Sequence, residues 1–228
     1  MRTPDKSESL RLLKERNVPV ATIIDVGVQG ETPELIRIFP DRPHLLFEPV
    51  LEFADSVRRN YARIKHTLVG AAVSDVEGEV TLQVHSMIEK QKISHSGMIT
   101  GPADAEDKRT VPMVTLDGYL ARNPQAEPYL LKIDVDGREM QVLQGALNTL
   151  AKSSVVIIEV PKDEFTPRIA FLERQGFEIF DLAEPCYYDK GFWQCDALMI
   201  RKDVHRRHFG QLLENFVPAK YEIFRRGA

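Results

Sequence analysis

Short apolar runs closed by turn residues alternate along this chain with segments whose apolar positions recur three and four residues apart, a rhythm of strands and helices. Residues 21–25 form the first run. Thr32, Pro33 and Glu34 then offer an N-cap, a proline at the first helical position and an early acid, with Leu35, Ile36 and Phe39 as the inward face and Pro40 as the stop. A second strand is predicted at 45–47, a helix through Val50, Phe53, Ala54, Val57 and Tyr61, and a third strand at 67–73. After a turn at 75–78, Val80, Leu82 and Val84 alternate with polar neighbours, as a half-exposed antiparallel strand does.

Further strands are predicted at 111–116, 130–134 and 155–160, and Met140, Leu143, Leu147 and Leu150 draw one stripe along a helix. Ile169 and Leu172 mark another helix, closed by Gly176. Residues 177–182 and 197–200 pair as an antiparallel hairpin at the C-terminal edge. The alternation calls for an α/β sandwich with a mostly parallel sheet in a single domain, 1–228. Three stretches stand outside it: 1–19 as an N-terminal extension, the polar and aperiodic 86–110 as a lid or substrate loop, and 201–228 as a basic tail.

Composition narrows this picture. The 228 residues are 43% hydrophobic and 28% charged, enough apolar matter for a packed core and too much for a disordered chain. No apolar run reaches the ~18 residues of a membrane span, and the charged first residues lack a secretory segment, so a cytoplasmic protein without a membrane partner is expected. A net charge of -4 argues against general nucleic-acid binding, although the tail gathers Arg201, Lys202, Arg206, Arg207, Lys220, Arg225 and Arg226. That tail and the aromatic group Tyr187, Tyr188, Phe192 and Trp193 hint at a homo-oligomer. Cys186 and Cys195 are read as reduced thiols.

The candidate chemistry starts where the first strand meets Asp25-Val26-Gly27-Val28-Gln29-Gly30. Glycines let such a turn fold tightly and bring backbone N–H groups close to a ligand. Glu48 follows Gly30 by 18 positions, near the roughly 20-residue spacing at which an acid takes ribose hydroxyls. Asp25 occupies the first glycine position of a dinucleotide fingerprint, where it would repel a pyrophosphate yet suit the cationic amino group of a methionine moiety. An NAD-dependent oxidoreductase is therefore disfavoured.

Together with that turn, Leu46-Phe47-Glu48-Pro49 and the segment K-I-D-V-D-G-R-E at 132–139, followed by V-L-Q-G-A at 142–146, resemble the FkbM family of methyltransferases over about residues 20–182. The resemblance implies a Rossmann-like class I fold, S-adenosyl-L-methionine as cofactor and O-methylation of a hydroxyl on a sugar or other small metabolite. Gln29 departs from the asparagine or similar residue usual in the family's first turn, and 86–110 aligns with nothing. Asp25, Gly27, Gly30, Glu48, Ser74 and Asp134 are the expected cofactor contacts.

Lys132, Asp134, Asp136 and Glu139 crowd the carboxyl end of the 130–134 strand, over which ligands sit in open α/β sheets. Three close carboxylates need a compensating cation, for which Lys132, the cofactor's sulfonium and a divalent metal are candidates. Asp134 is read as orienting the acceptor or taking its proton, Asp136 and Glu139 as shaping the site or favouring a helix N-terminus, and His95 as a substrate contact or base. Ser74 either contacts adenine or belongs to a hairpin turn with Asp75 and Gly78. No metal ligands are assigned, but a metal-assisted variant using Asp134, Asp136 and Glu159 remains open, as does a non-catalytic binding protein.

Overall fold

The structure is a computed structural model that describes residues 3–85, 95–99, 108–210 and 216–223. In chain order the elements are α1 (Lys6–Glu15), β1 (Thr22–Val26), α2 (Pro33–Ile38), β2 (His44–Phe47), α3 (Ala54–Asn60), β3 (His66–Val69), β4 (Ala72–Val73), β5 (Gly78–His85), β6 (His95–Ile99), β7 (Lys108–Val114), α4 (Leu116–Arg122), β8 (Tyr129–Ile133), α5 (Glu139–Gln144), α6 (Leu147–Ala151), β9 (Ser153–Pro161), α7 (Phe165–Arg174), β10 (Phe177–Tyr188), β11 (Gly191–Arg201) and α8 (Lys202–His208).

Among the described residues, seven strands form the main sheet in the order β10-β11-β9-β8-β1-β2-β3. Its five strands from β9 to β3 are parallel, and β11 runs antiparallel to both β9 and β10. The order reverses between β1 and β8, so a crevice opens over the carboxyl ends of those two strands. Every residue of β1, β2 and β8 is buried, which is why these strands read as apolar runs rather than alternations. Ile24, Leu131 and Val156 pack one face against Val142 and Leu172. Ile23, Leu130 and Val155 pack the other against Leu10, Leu13 and Leu35.

Residues 3–19 are thus no appendage. Asp5 caps α1 by accepting from the Glu8 backbone N–H at 2.7 Å, and Leu10 and Leu13 are 0% and 1% exposed against the sheet. Burying such leucines contributes about 1.5–3 kcal/mol each. The 86–110 stretch is likewise not one loop: 95–99 and 108–110 lie in β6 and β7, because β5 runs between them and pairs with each along one of its two edges. Residues 86–94 and 100–107 lie outside the described residues. The expected third strand divides into β3 in the main sheet and β4 in a second one, of order β4-β7-β5-β6. Thr115 accepts from the Gly118 N–H and starts α4 where the 111–116 strand was expected to finish. The basic tail begins with α8, whose Val204 is buried. Cys186 is exposed, Cys195 is buried, and both are free. No helix of the described residues is long and apolar enough to cross a membrane.

Candidate functional site

Two turns form facing lips over the crevice. In the first, Gly27 and Gln29 have φ of +86° and +50°, which sends the Gln29 N–H to Glu48 Oε2 at 2.7 Å. The other oxygen, Oε1, accepts from Val50 N–H at 2.8 Å. A Cβ on Gly27 would stand 1.8 Å from the Asp134 carbonyl oxygen, so this glycine is required both by its left-handed backbone and by the closeness of β8. The left-handed conformation at position 29 also gives a physical reason for an asparagine preference there, since asparagine visits that region more readily than most residues.

In the second lip, Asp136 and Gly137 have φ of +52° and +95°. Glu139 holds this turn from below: its Oε1 accepts from the Val135 and Gly137 N–H groups at 3.3 and 3.2 Å, and its Oε2 lies 2.7 Å from the Arg168 guanidinium. Both side chains are buried, at 0% and 2% exposure. Arg168 also donates to the Glu159 carbonyl oxygen at 2.7 Å, tying α7, the second lip and the end of β9 together.

Between the lips lies a cleft whose empty space, counting its open mouth, is about 570 Å³. Gly27, Gln29, Glu48, Asp134, Asp136 and Arg138 supply its polar lining, while Ala71, Ala72, Val73 and Leu82 form an apolar wall. Burial pushes the Glu48 carboxyl up to about 7, against the pull of the Val50 and Gln29 N–H groups. A buried acid next to an apolar slot suits a nucleoside, whose base prefers the wall and whose ribose hydroxyls donate to the carboxylate.

A charge network adjoins the cleft through Asp134. Lys132 lies 3.1 Å from Asp134 Oδ2 and 3.6 Å from Asp25 Oδ1. Burial would lower the lysine's proton affinity, but the two carboxylates outweigh it and the net shift is upward. Asp25 is fully buried, and desolvation raises its pKa despite Lys132. Across the sheet, Ile133 pairs with Ile158 and Glu159 with Asp196. Asp196 is held at 2.8 Å by Lys6, which also meets Glu34 and Glu184 at 3.5 and 3.0 Å.

Residues 14–179 match the Methyltransferase FkbM domain. The chain belongs to the FkbM methyltransferase family. The hexuronic acid methyltransferase AglP of Haloferax volcanii is 27% identical over 124 residues, 51% of this chain and 48% of that protein, so the chain spans about half the length of this curated relative. In fold, the chain resembles the crystal structure of methyltransferase FkbM from Methylobacillus flagellatus KT, with a TM-score of 0.51 and 16% identity over 78% of this chain and 43% of that one.

Within this FkbM domain, four residues singled out from the sequence, Gly27, Glu48, Asp134 and Asp136, line one cleft. Asp25, Gly30 and Ser74 do not line it. Asp25 lies beneath the turn with Lys132, Gly30 turns its carbonyl to Asn60, and Ser74 is buried, donating its N–H to Val114. Glu139 serves the turn and Arg168 rather than the cleft, and charge balance among the acids comes from Lys132 and Arg168 together. His95 pairs with His85 in the second sheet. Among the described residues, no three histidine, cysteine or acidic side chains gather as a metal set. Sequence reasoning missed Arg138, Leu82 and Arg168. Arg168 had a signal, since it stands four residues before Leu172 on the stripe that faces the sheet.

Proposed function

We propose that this chain is an S-adenosyl-L-methionine-dependent methyltransferase that methylates a hydroxyl on a sugar or similar polyhydroxylated small molecule. The observation that carries this reading is Glu48: a buried carboxylate, fixed by two backbone N–H groups, that closes one end of a cleft with an apolar wall in an FkbM domain. Glu48 would take the ribose hydroxyls, Ala71, Ala72, Val73 and Leu82 the adenine, and the acidic lip of Asp134 and Asp136 the positively charged methionine end. When bound, the cofactor supplies an electrophilic methyl group on a sulfonium.

The sugar class is supported by the kinship with AglP, whose name specifies a hexuronic acid. The test is transfer of a radiolabelled methyl group from S-adenosyl-L-methionine to p-nitrophenyl glycosides of glucose, galactose and glucuronic acid. Label in a methyl ether of any of them supports the reading, and cofactor binding without transfer to any hydroxyl speaks against it.

A further inference from the structure

The proposed transfer needs a group that accepts the hydroxyl proton, and of the three carboxylates lining the cleft, Glu48, Asp134 and Asp136, the first two are engaged by neighbours. Asp134 is already held by Lys132 at 3.1 Å, and both oxygens of Glu48 accept backbone N–H groups. One strand further on, Glu159 is differently situated. It is half-buried at the carboxyl end of β9, beside Asp134 through the Ile133–Ile158 register and opposite Asp196 on β11. Its backbone carbonyl is fixed by Arg168, and the Gln194 side-chain amide donates to its Oε1, so the carboxylate is held in one orientation. The neighbouring cations are committed elsewhere: Lys6 to Asp196, Lys132 to Asp134 and Asp25, and Arg168 to Glu139.

We propose that Glu159 is the general base of this enzyme, oriented by Gln194 and taking the proton of the acceptor hydroxyl at the open end of β9. The inference rests on the methyltransferase reading given above. In the step, the acceptor oxygen bonds to the methyl carbon while the carbon–sulfur bond breaks and its electron pair stays on sulfur. The hydroxyl proton passes to a Glu159 oxygen and from there to solvent. Burial first, then the charges of Asp134, Glu139, Asp196 and Asp136, push the Glu159 carboxyl up to about 7. A base works best when its pKa lies near the working pH, so this environment favours proton acceptance.

The test uses the full chain, radiolabelled S-adenosyl-L-methionine and the p-nitrophenyl glycosides of glucose, galactose and glucuronic acid. Glu159→Gln is expected to bind S-adenosylhomocysteine as the wild type does by calorimetry, while kcat falls about 100-fold or more. Wild-type kcat should rise with pH through about 7, a rise that the Gln variant lacks and Glu159→Asp regains in part. Gln194→Met, a second variant that leaves the carboxylate in place, should lower kcat with cofactor affinity intact, and it decides the matter if Glu159→Gln does not fold. Wild-type turnover in Glu159→Gln, or in Gln194→Met where that variant must decide, overturns the proposal alone. A wild-type chain that binds neither S-adenosyl-L-methionine nor its product overturns the underlying reading and the proposal with it.

Discussion

The turn after β1 and the strand ends of β8, β9 and β11 lie along one edge of the same sheet, yet they are built by opposite means. The first is made of backbone: left-handed residues at 27 and 29, a glycine seated against the Asp134 carbonyl, and N–H groups aimed at one acid. The second is made of side-chain charges from distant parts of the chain, with Lys6, Asp25, Lys132, Arg168 and Asp196 neutralising or opposing one another. Backbone turns fix a ligand site locally and tolerate change poorly. Charge networks hold remote elements together and respond to pH.

The sharpest break in the second region is Arg168→Met. It leaves Glu139 as an unpaired buried charge, and losing one partner of such a pair costs about 3–5 kcal/mol. Urea denaturation should report this loss, and adding Glu139→Gln should recover part of it. In the first region, Gly27→Ala forces a methyl against backbone, for about 1–3 kcal/mol of overpacking and about 1–2 kcal/mol more from the left-handed φ. Its thermal midpoint should drop accordingly, whereas Gly30→Ala, with only ordinary contact to Ser56, should stay close to wild type.

A smaller effect concerns pH. Folding raises Glu48 and Glu159 from 4.5 to about 7, so between those values the folded chain holds protons that the unfolded chain releases. Their contribution to stability therefore falls as pH rises from about 4.5 to 7 and stays low above. A thermal midpoint measured across this window should decline less in Glu159→Gln than in the wild type, provided the other carboxylates titrate alike.

The same contrast governs what could be read from the sequence. The β1 turn, Glu48 and the Lys132–Asp134 alternation were legible because each is a local pattern on a predicted strand or turn. The charge network was not, since pairing of Arg168 with Glu139, or of Lys6 with Asp196, depends on where the helices dock. Both cations nonetheless share a stripe with leucines, Lys6 with Leu10 and Arg168 with Leu172, and a lone cation on a buried stripe asks for a buried partner. Asp5 and Glu8 likewise had the spacing of a helix start. The β6 strand within 86–110 gave no such sign, because its five residues carry no alternation of their own and extend by pairing with β5.

The proposed activity depends most on Glu48 holding the ribose of S-adenosyl-L-methionine. Calorimetric titration of the wild type and Glu48→Gln with S-adenosyl-L-methionine, S-adenosylhomocysteine and NAD at pH above 7 tests it directly. The expected result is one site for the first two, none for NAD, and an affinity about tenfold or more lower in a folded variant, as loss of hydrogen bonds to a charged group implies. Binding of NAD in preference, or equal affinity in the variant, would contradict it.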